Sequence, residues 1–384
     1  MPVRILHCHS TFSLGGKEAR AVRLMNAWGQ VAEHVVLSGM PGELGARDAI
    51  APGIAVDFPR GAPSLTGRPG LARLFRLAKY MRGFDLVLTY NWGAFDAVMA
   101  SYLFRGPPLI HHEDGFNEDE ADGLKTSRNL YRRLGLSGAE RLVVPSRRLE
   151  QIARTAWAQP ADKVERIGNG IPLAAFARVP APDAIPGLVR REDELWIGTV
   201  AGLRKIKNLP RLVRAFAAAG LPNARLVIVG EGPEHRAILA EAAQLGVSER
   251  VHLPGFLPDP ARYMGLFDIF ALSSDSEQFP ISLVEAMAAG LPAATTAVGD
   301  IASMVAEANR PFLAADEAVL TEALRRLGTD AGLRARVGAA NREKALAEYN
   351  EAQMIGAYAG LYGAALGRPD LFSRNFDAGY ASGV

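Results

Sequence analysis

A single cysteine, Cys8, excludes an internal disulfide and leads us to expect a reducing compartment. No apolar run reaches the ~18 residues of a membrane-spanning helix, and the opening "MPVRILHCHST" is too short in apolar residues for a signal peptide. The expected location is the cytoplasm. The three-glycine dinucleotide fingerprint is also missing. "GEGPEH" comes nearest and has His235 where the third glycine belongs, which counts against a nicotinamide enzyme. Low-complexity tracts and short-period repeats are absent, as is a large excess of one charge: 43 Lys+Arg face 41 Asp+Glu. What remains is a soluble globular composition, 49% hydrophobic and 22% charged, long enough at 384 residues for two domains with separate cores.

The charge is unevenly spread. Residues 1–180 carry 23 Lys+Arg against 17 Asp+Glu, and the remainder carries 20 against 24. A basic first half suits an acidic partner, either phosphates or an anionic membrane surface. It is too diffuse and too poor in interleaved aromatics for nucleic acid.

Strand-like and helix-like segments alternate. "VRILHCHS", "EHVVLSG", "FDLVLTYN", "PPLIHHEDG" and "RLVVPS" read as strands between helical periods in the first half. After the proline-rich stretch 177–194 the alternation restarts with "LWIGTVAG", "ARLVIVG", "RVHLPGF", "DIFALSS" and "PAATTAV". Such alternation predicts parallel sheets covered on both faces. The expected fold is α/β, with two doubly wound Rossmann-like domains facing each other across a cleft. We place the first at 1–178 and the second at 190–354, with a C-terminal helix from about 355–384 packing back on the first.

The segment "SEQFPISLVEAMAAGLP" carries Glu277 and Glu285 with seven residues between them. Phe279 precedes Pro280 and is pushed out of the α region, so Glu277 belongs to a loop and Glu285 to the first turns of a helix. That helix should stop at Gly290, with Pro292 behind it. The pair brackets a helix N-terminus, which favours an anion. A plainer reading stands beside it: "SLVE" is a capping box from Ser282 to Glu285, and Glu277 is a surface charge.

The order of "LGGKE", "IGNGI", "KN", "VIVGEGPE" and "SSDSEQFPISLVEAMAAGLP" resembles that of the retaining glycosyltransferases of family four, of GT-B fold. The resemblance covers most of the chain and is densest from about 196 to 305. It implies a metal-independent hexosyltransferase with no cofactor. Such an enzyme moves a sugar from a nucleotide diphosphate sugar, a UDP-sugar, to an acceptor hydroxyl with retention of configuration. The acceptor would be a sugar, a glycolipid, or a lipid-linked or cell-surface glycan precursor.

It further implies that Glu285 accepts from the ribose diol, Glu277 from the donor sugar, and that Lys207 pairs with the diphosphate. Phe279, Pro280, Ile281, Ser282 and Leu283 would line the donor, the N–H groups near Ser282 holding phosphate. The family arginine some five residues before the lysine is missing. Ala201-Gly202 stand there, and Arg204 or Lys205 is the expected substitute. Gln278 stands where glycine commonly follows the first glutamate. A family histidine that faces the acceptor and the donor sugar appears as Asp114 within "HHEDGFNEDEAD", giving Asp114, Lys207 and Glu277 as candidate catalytic residues.

Gly15 and Gly16, between the first strand and helix, let backbone approach a phosphate or sugar. His7 and His9 on one strand face read as satisfied strand-end histidines, with a metal-dependent hydrolase as the competing reading. Trp92 lines the acceptor cleft or fills the core. In "GLARLFRLAKYMRG", Arg73, Arg76, Lys79 and Arg82 make either an interfacial helix on an anionic membrane or a surface helix with snorkelling side chains. Within the same fold the alternative is a nucleotide-sugar epimerase or hydrolase. A catalytically silent binder of nucleotide sugars is a further one.

Overall fold

The computed structural model describes residues 2–116, 120 and 124–372; position 1, positions 117–119 and 121–123 in and after the polar stretch, and 373–384 of the C-terminal segment lie outside the described residues. The chain forms two compact units. One holds the residues up to Asn169 and those from Ala352 on; the other runs from Gly170 to Glu351.

The first unit is built on β1 (Val3–His9), β2 (Ala32–Ser38), β3 (Val56–Asp57), β4 (Leu86–Tyr90), β5 (Leu109–His112), β6 (Arg141–Val144) and β7 (Val164–Arg166). All pair in parallel, in the order β3-β2-β1-β4-β5-β6-β7. Between them run α1 (Gly16–Trp28), α2 (Leu71–Met81), α3 (Phe95–Phe104), α4 (Thr126–Gly135) and α5 (Arg147–Thr155). The period of two divides each strand between two cores. Leu6 and Cys8 of β1 face a cluster with Leu74 and Leu77 of α2 and Val98 of α3. Val3 and Ile5 face another with Leu24 and Trp28 of α1. Burial pushes the Cys8 thiol up to about 12, which leaves it inert as a nucleophile.

The second unit repeats the plan with β8 (Leu195–Val200), β9 (Ala224–Val229), β10 (Val251–Gly255), β11 (Ile269–Leu272), β12 (Ala293–Thr296) and β13 (Leu313–Ala314), ordered β10-β9-β8-β11-β12-β13 and again parallel. Its helices are α6 (Leu209–Ala218), α7 (His235–Gln244), α8 (Ile281–Ala288), α9 (Ile301–Met304), α10 (Glu317–Thr329) and α11 (Ala331–Glu348). Asp316 and Asp330 cap α10 and α11 by accepting from the Val319 and Leu333 amides at 2.9 and 2.8 Å. The proline-rich stretch lies along this unit: Ile185 is buried, and Arg190 pairs with Asp268 at 2.8 Å. After Tyr349–Asn350 the chain returns to the first unit as α12 (Glu351–Ala365), whose Met354, Ile355, Tyr358 and Tyr362 complete the core around Trp28.

In each unit the strand order reverses beside the first strand, at β1/β4 and at β8/β11. Loops leaving the carboxyl ends of those strands diverge, and such switch points are where doubly wound sheets hold ligands.

Candidate donor site and acceptor cleft

At the β8/β11 switch point two loops are stitched together. The Asp275 amide donates to the Ile206 carbonyl at 2.8 Å, and the Ser273 hydroxyl reaches the Lys207 and Asn208 carbonyls at 3.0 and 2.9 Å. Arg211 pairs with Asp275 at 2.5 Å from the first turn of α6. This holds Lys207, the last residue of a 3₁₀ turn, against Glu277 with Nζ 2.5 Å from Oε1. Ser274 donates to the same oxygen at 2.7 Å, while Thr296 on β12 holds the Ser274 carbonyl at 2.7 Å. Glu277 is 8% exposed. A buried carboxylate with an ammonium partner has little freedom, so both charges are oriented before any ligand arrives.

The loop carrying Glu277 is shaped by a close approach. At Gly299, φ is +59° and an added Cβ would stand 1.9 Å from the Glu277 carbonyl oxygen, so only glycine fits. Gly230 and Gly232 act in the same way: a Cβ at either would strike the Ala201 or Leu203 carbonyl oxygen. "GEG" thus lets the turn after β9 support the loop after β8, where the Leu203 amide donates to Glu231 at 2.8 Å.

Helix α8 begins at Ile281 with Pro280 as its N-cap and no side-chain cap. The expected capping box is absent. Ser282 lies inside the helix and cannot reach back as an N-cap does, because Pro280 sets the start two residues earlier. Phe279 sits edge-on to Tyr349 at 5.7 Å, below the helix start. Ile281 and Ser282 present the first-turn N–H groups, while the Leu283 amide turns back to Pro280 at 3.1 Å. The helix ends as the sequence predicts. Gly290 has φ +79°, and the Gly290 and Leu291 amides donate to Met287 and Ala286, a Schellman ending. Glu285 is half-buried in the second turn, and its charge is one of the causes, after burial, that raise the Tyr263 hydroxyl above its ordinary range. Arg204 and Lys205 are exposed. Arg204 folds back over Gly202, where an ideal Cβ would be 3.6 Å from its Nε.

In the first unit, Gly15 is the N-cap of α1 and Gly16 its first residue. A Cβ on Gly15 would be 3.0 Å from the Glu18 carboxylate, which is 4% exposed and ion-paired with Lys17. Burial raises the Glu18 pKa more than Lys17 lowers it. The Lys17 ammonium balances this carboxylate, whose oxygens can accept from hydroxyl groups brought against the glycines.

Asp114 lies just beyond β5 and is held by Arg20 of α1, which donates to both of its oxygens. Arg20 is 3% exposed, also donates to Asn169 at 2.9 Å, and lies over the Tyr358 ring. Burial acts to raise the Asp114 pKa, but the adjoining Arg20 charge and its hydrogen bonds outweigh it and hold the carboxyl below the usual range. A carboxylate so engaged is a poor proton acceptor, which argues against Asp114 as a catalytic base. It remains suited to orienting a hydroxyl.

Behind it, buried polar groups form a chain. The His112 Nδ1 donates to the Thr89 carbonyl at 3.1 Å, so its Nε2 accepts from the Tyr362 hydroxyl at 2.7 Å. Tyr362 hydrogen-bonds Tyr90, whose hydroxyl lies 3.2 Å from His7 Nδ1, and His7 Nε2 meets His34 Nδ1 at 2.9 Å. His9 stacks on Tyr90 at 4.0 Å, and both of its ring nitrogens lack a hydrogen-bond partner among the described residues, so the expectation of a satisfied histidine is not met there for His9. Among the described residues no three His, Cys, Asp or Glu side chains converge to hold a metal.

Trp92, half-buried after β4, stacks on Phe95 at 5.4 Å and borders a cavity of about 470 Å³ that is also lined by Leu65, Asp96, Arg128 and Tyr131. That volume is within the range of ligand pockets, and its walls combine aromatic rings with carboxylate, guanidinium and hydroxyl groups. Arg73 of α2 is committed here. It pairs with Asp96 and donates to the carbonyls of Thr66, Gly67 and Arg68, so it is not a free surface charge. The reading of Arg73 as a membrane contact is corrected accordingly.

Sequence reasoning missed Ser274, Asp275, Arg211, Thr296 and Gly299. Their roles depend on two loops meeting in space, for which single residues in "SSDS" or "VGD" give no signal.

Two doubly wound units with a loop-held lysine, a buried glutamate and a capless helix start at one switch point define the architecture of the GT-B glycosyltransferases. The comparisons with known proteins agree. Residues 14–175 match the family model described as "Glycosyltransferase Family 4", and residues 182–344 match "Glycosyl transferases group 1". The chain belongs to glycosyltransferase family four. It is 29% identical over 243 residues to D-inositol 3-phosphate glycosyltransferase of Mycobacteroides abscessus, covering 58% of this chain and 53% of that protein. It is 28% identical over 174 residues to N-acetyl-alpha-D-glucosaminyl L-malate synthase of Bacillus anthracis, covering 44% and 46%. The chain thus spans about half the length of the curated relatives it matches. In fold it is similar to HepE of Anabaena, solved with UDP and glucose, at TM-score 0.76 and 18% identity over 94% of this chain and 100% of that one.

Proposed function

We propose that the protein is a glycosyltransferase that moves a hexosyl group from a nucleotide diphosphate sugar to an acceptor hydroxyl with retention of configuration. The observation that carries this reading is the Lys207–Glu277 pair beside the start of α8, with Glu285 one turn further on. The diphosphate faces Lys207, the open N–H groups of α8 and Arg204. Glu285 accepts from the ribose and Glu277 from the sugar, so each carboxylate meets hydroxyl donors. Unit 2 is the donor side and unit 1 the acceptor side, with the Trp92 cavity and Asp114 receiving a sugar or a lipid-linked glycan precursor. The chemistry needs no metal on this reading. Positive charge at Lys207 and the helix end stabilises the leaving diphosphate, whose oxygen takes the acceptor proton on the same face. We place its site of action in the cytoplasm, with which the single, unpaired and buried Cys8 is compatible.

HepE, a fold neighbour, is solved with UDP-glucose, which makes a UDP-sugar the first donor to test. Thermal unfolding of the full chain with a panel of nucleotide diphosphate sugars should show stabilisation by one base and sugar above the rest. A ligand present at 100 times its Kd adds about 2.7 kcal/mol. No shift with any nucleotide sugar or nucleoside diphosphate would remove the donor assignment.

A further inference from the structure

Arg73, in the first turn of α2, has an acceptor for each of its five N–H donors. Nε donates to the Arg68 carbonyl at 3.1 Å, and Nη1 to the Ser64 and Thr66 carbonyls at 3.2 and 3.3 Å. Nη2 donates to the Gly67 carbonyl at 3.1 Å and to Asp96. Four carbonyls of one short loop thus converge on one guanidinium. Gly67, at φ +119°, allows the turn that gathers them. The same loop supplies Leu65, Thr66, Gly67 and Pro69 to the wall of the Trp92 cavity. Asp96 of α3 lines that cavity too, and also accepts from the Tyr131 hydroxyl of α4 at 3.4 Å. One side chain therefore ties the loop, α3 and α4 around the cavity.

The charges at this wall are already matched. Arg73 pairs with Asp96, and Arg128 with Glu120 at 2.9 Å. Burial, followed by Asp96, raises the Tyr131 hydroxyl to about 12, so it stays a neutral donor. A paired carboxylate keeps lone pairs for hydroxyl groups, whereas a phosphate or carboxylate ligand would have to compete with Asp96 or Glu120 for its cation. Trp92, Phe95 and Tyr131 add aromatic surface suited to the C–H groups of a sugar.

We propose that Arg73 is a positioning residue, which builds the Trp92 cavity as a subsite for an uncharged sugar ring of the acceptor. The acceptor's part in this rests on the transferase reading above; the shaping of the cavity by Arg73 does not. The planar fork is essential to it. A lysine ammonium offers three donors from one point and cannot span four carbonyls and a carboxylate. Without the guanidinium the converging carbonyls lose their partner and turn to water, and the loop leaves the wall. The fold survives this, because Leu65 stays anchored at 3% exposure in the cluster that holds Leu74 and Leu77.

The test has two arms, both on the full chain. Cys8 is buried and its thiol unreactive, so Thr66→Cys and Ser127→Cys, both exposed on the cavity wall, take spin labels selectively. With Arg73 present the label-to-label distance should be narrowly distributed. Arg73→Ala and Arg73→Lys should both broaden it, and millimolar ethylguanidinium, the missing part of the side chain, should narrow it again in Arg73→Ala. In the second arm UDP-glucose is offered with octyl glycosides of glucose, galactose, mannose and N-acetylglucosamine, and with malate and inositol 3-phosphate. The wild type should glycosylate one of the octyl glycosides in preference to the two acids. Arg73→Ala should raise KM for that glycoside about 10- to 100-fold, more than it lowers kcat, with UDP affinity unchanged and KM recovered by ethylguanidinium. An undisturbed distance in Arg73→Ala, or full function in Arg73→Lys, overturns the role of Arg73. Preference for malate or inositol 3-phosphate, or binding of UDP-glucose without transfer to any glycoside, overturns the uncharged-sugar subsite. Failure to bind any nucleotide sugar refutes the transferase reading instead, and the label distances still decide what Arg73 does.

Discussion

Replacing Lys207 with alanine is expected to lower turnover by about 100- to 1000-fold, the loss seen when one preorganised donor is removed from a developing negative charge. The structure gives the reason. The Lys207 ammonium is aligned by Glu277 and by a loop that Ser273 and Asp275 fix in place, so on the proposed reading little reorganisation would be needed as a diphosphate departs. Alanine removes that charge and leaves Glu277, 8% exposed, with the Ser274 hydroxyl as its remaining side-chain donor among the described residues. Arg204, folded over Gly202, retains part of the positive field, so activity should fall without vanishing. Initial rates of nucleotide release at saturating donor measure the effect. A loss smaller than about tenfold would show that Lys207 does not stabilise the leaving group.

The second large effect is on stability in mild acid. Burial holds His112 down to about 3 and His34 down to about 4, and burial together with His34 and His112 keeps His7 well below its ordinary value. Arg20 adds to the shift at His112, while Asp114 opposes it. In the unfolded chain these imidazoles take protons near pH 6.5. Between that value and their folded pKa values the unfolded state binds more protons, so stability falls as the pH drops below about 6.5. Each histidine removes at most about 1.4 kcal/mol per pH unit, and the three together amount to a few kcal/mol by pH 5. That is a large share of an ordinary domain's ~5–15 kcal/mol. The chain of hydrogen bonds requires this sign: His112 must accept from Tyr362, and His7 and His34 share one proton between facing nitrogens. Asp114 acts in a lower window. Its depressed pKa contributes stability above the ordinary carboxylate range that is lost only as pH falls below ~4. Urea denaturation at pH 7 and pH 5 decides the matter, and equal midpoints would contradict neutral buried histidines.

Much of the fold was legible because long strands and helices announce themselves by period. β1, β4, β8 and β9 are apolar runs buried on both faces, and α8 has its stop written in Gly290 and Pro292. The short edge strands β3, β7 and β13 were not legible. At two or three residues each, they are defined by pairing with a neighbour and carry no period of their own. In the candidate site, the order of motifs singled out Glu277, Glu285 and Lys207, while the contact between Lys207 and Glu277 was not legible. It joins positions 70 residues apart and depends on the register of β8 beside β11. Arg20 was missed because an arginine in an amphipathic helix reads as a surface charge. Its burial becomes visible only once Asp114, Asn169 and Tyr358 surround it. The capping box in "SLVE" was a false signal, overruled by the proline that fixes where α8 begins.

The central claim is that the two glutamates bind different ends of one donor. Calorimetric titration of Glu277→Ala and Glu285→Ala with a nucleoside diphosphate and with the corresponding nucleotide sugar tests it most directly. Glu285→Ala should weaken both ligands by roughly 1–3 kcal/mol, the cost of a lost charged hydrogen bond. Glu277→Ala should keep nucleoside diphosphate affinity and lose the sugar's increment. If both variants bound both ligands like the wild type, or if Glu277→Ala weakened the diphosphate as much as the sugar nucleotide, the assignment would be wrong.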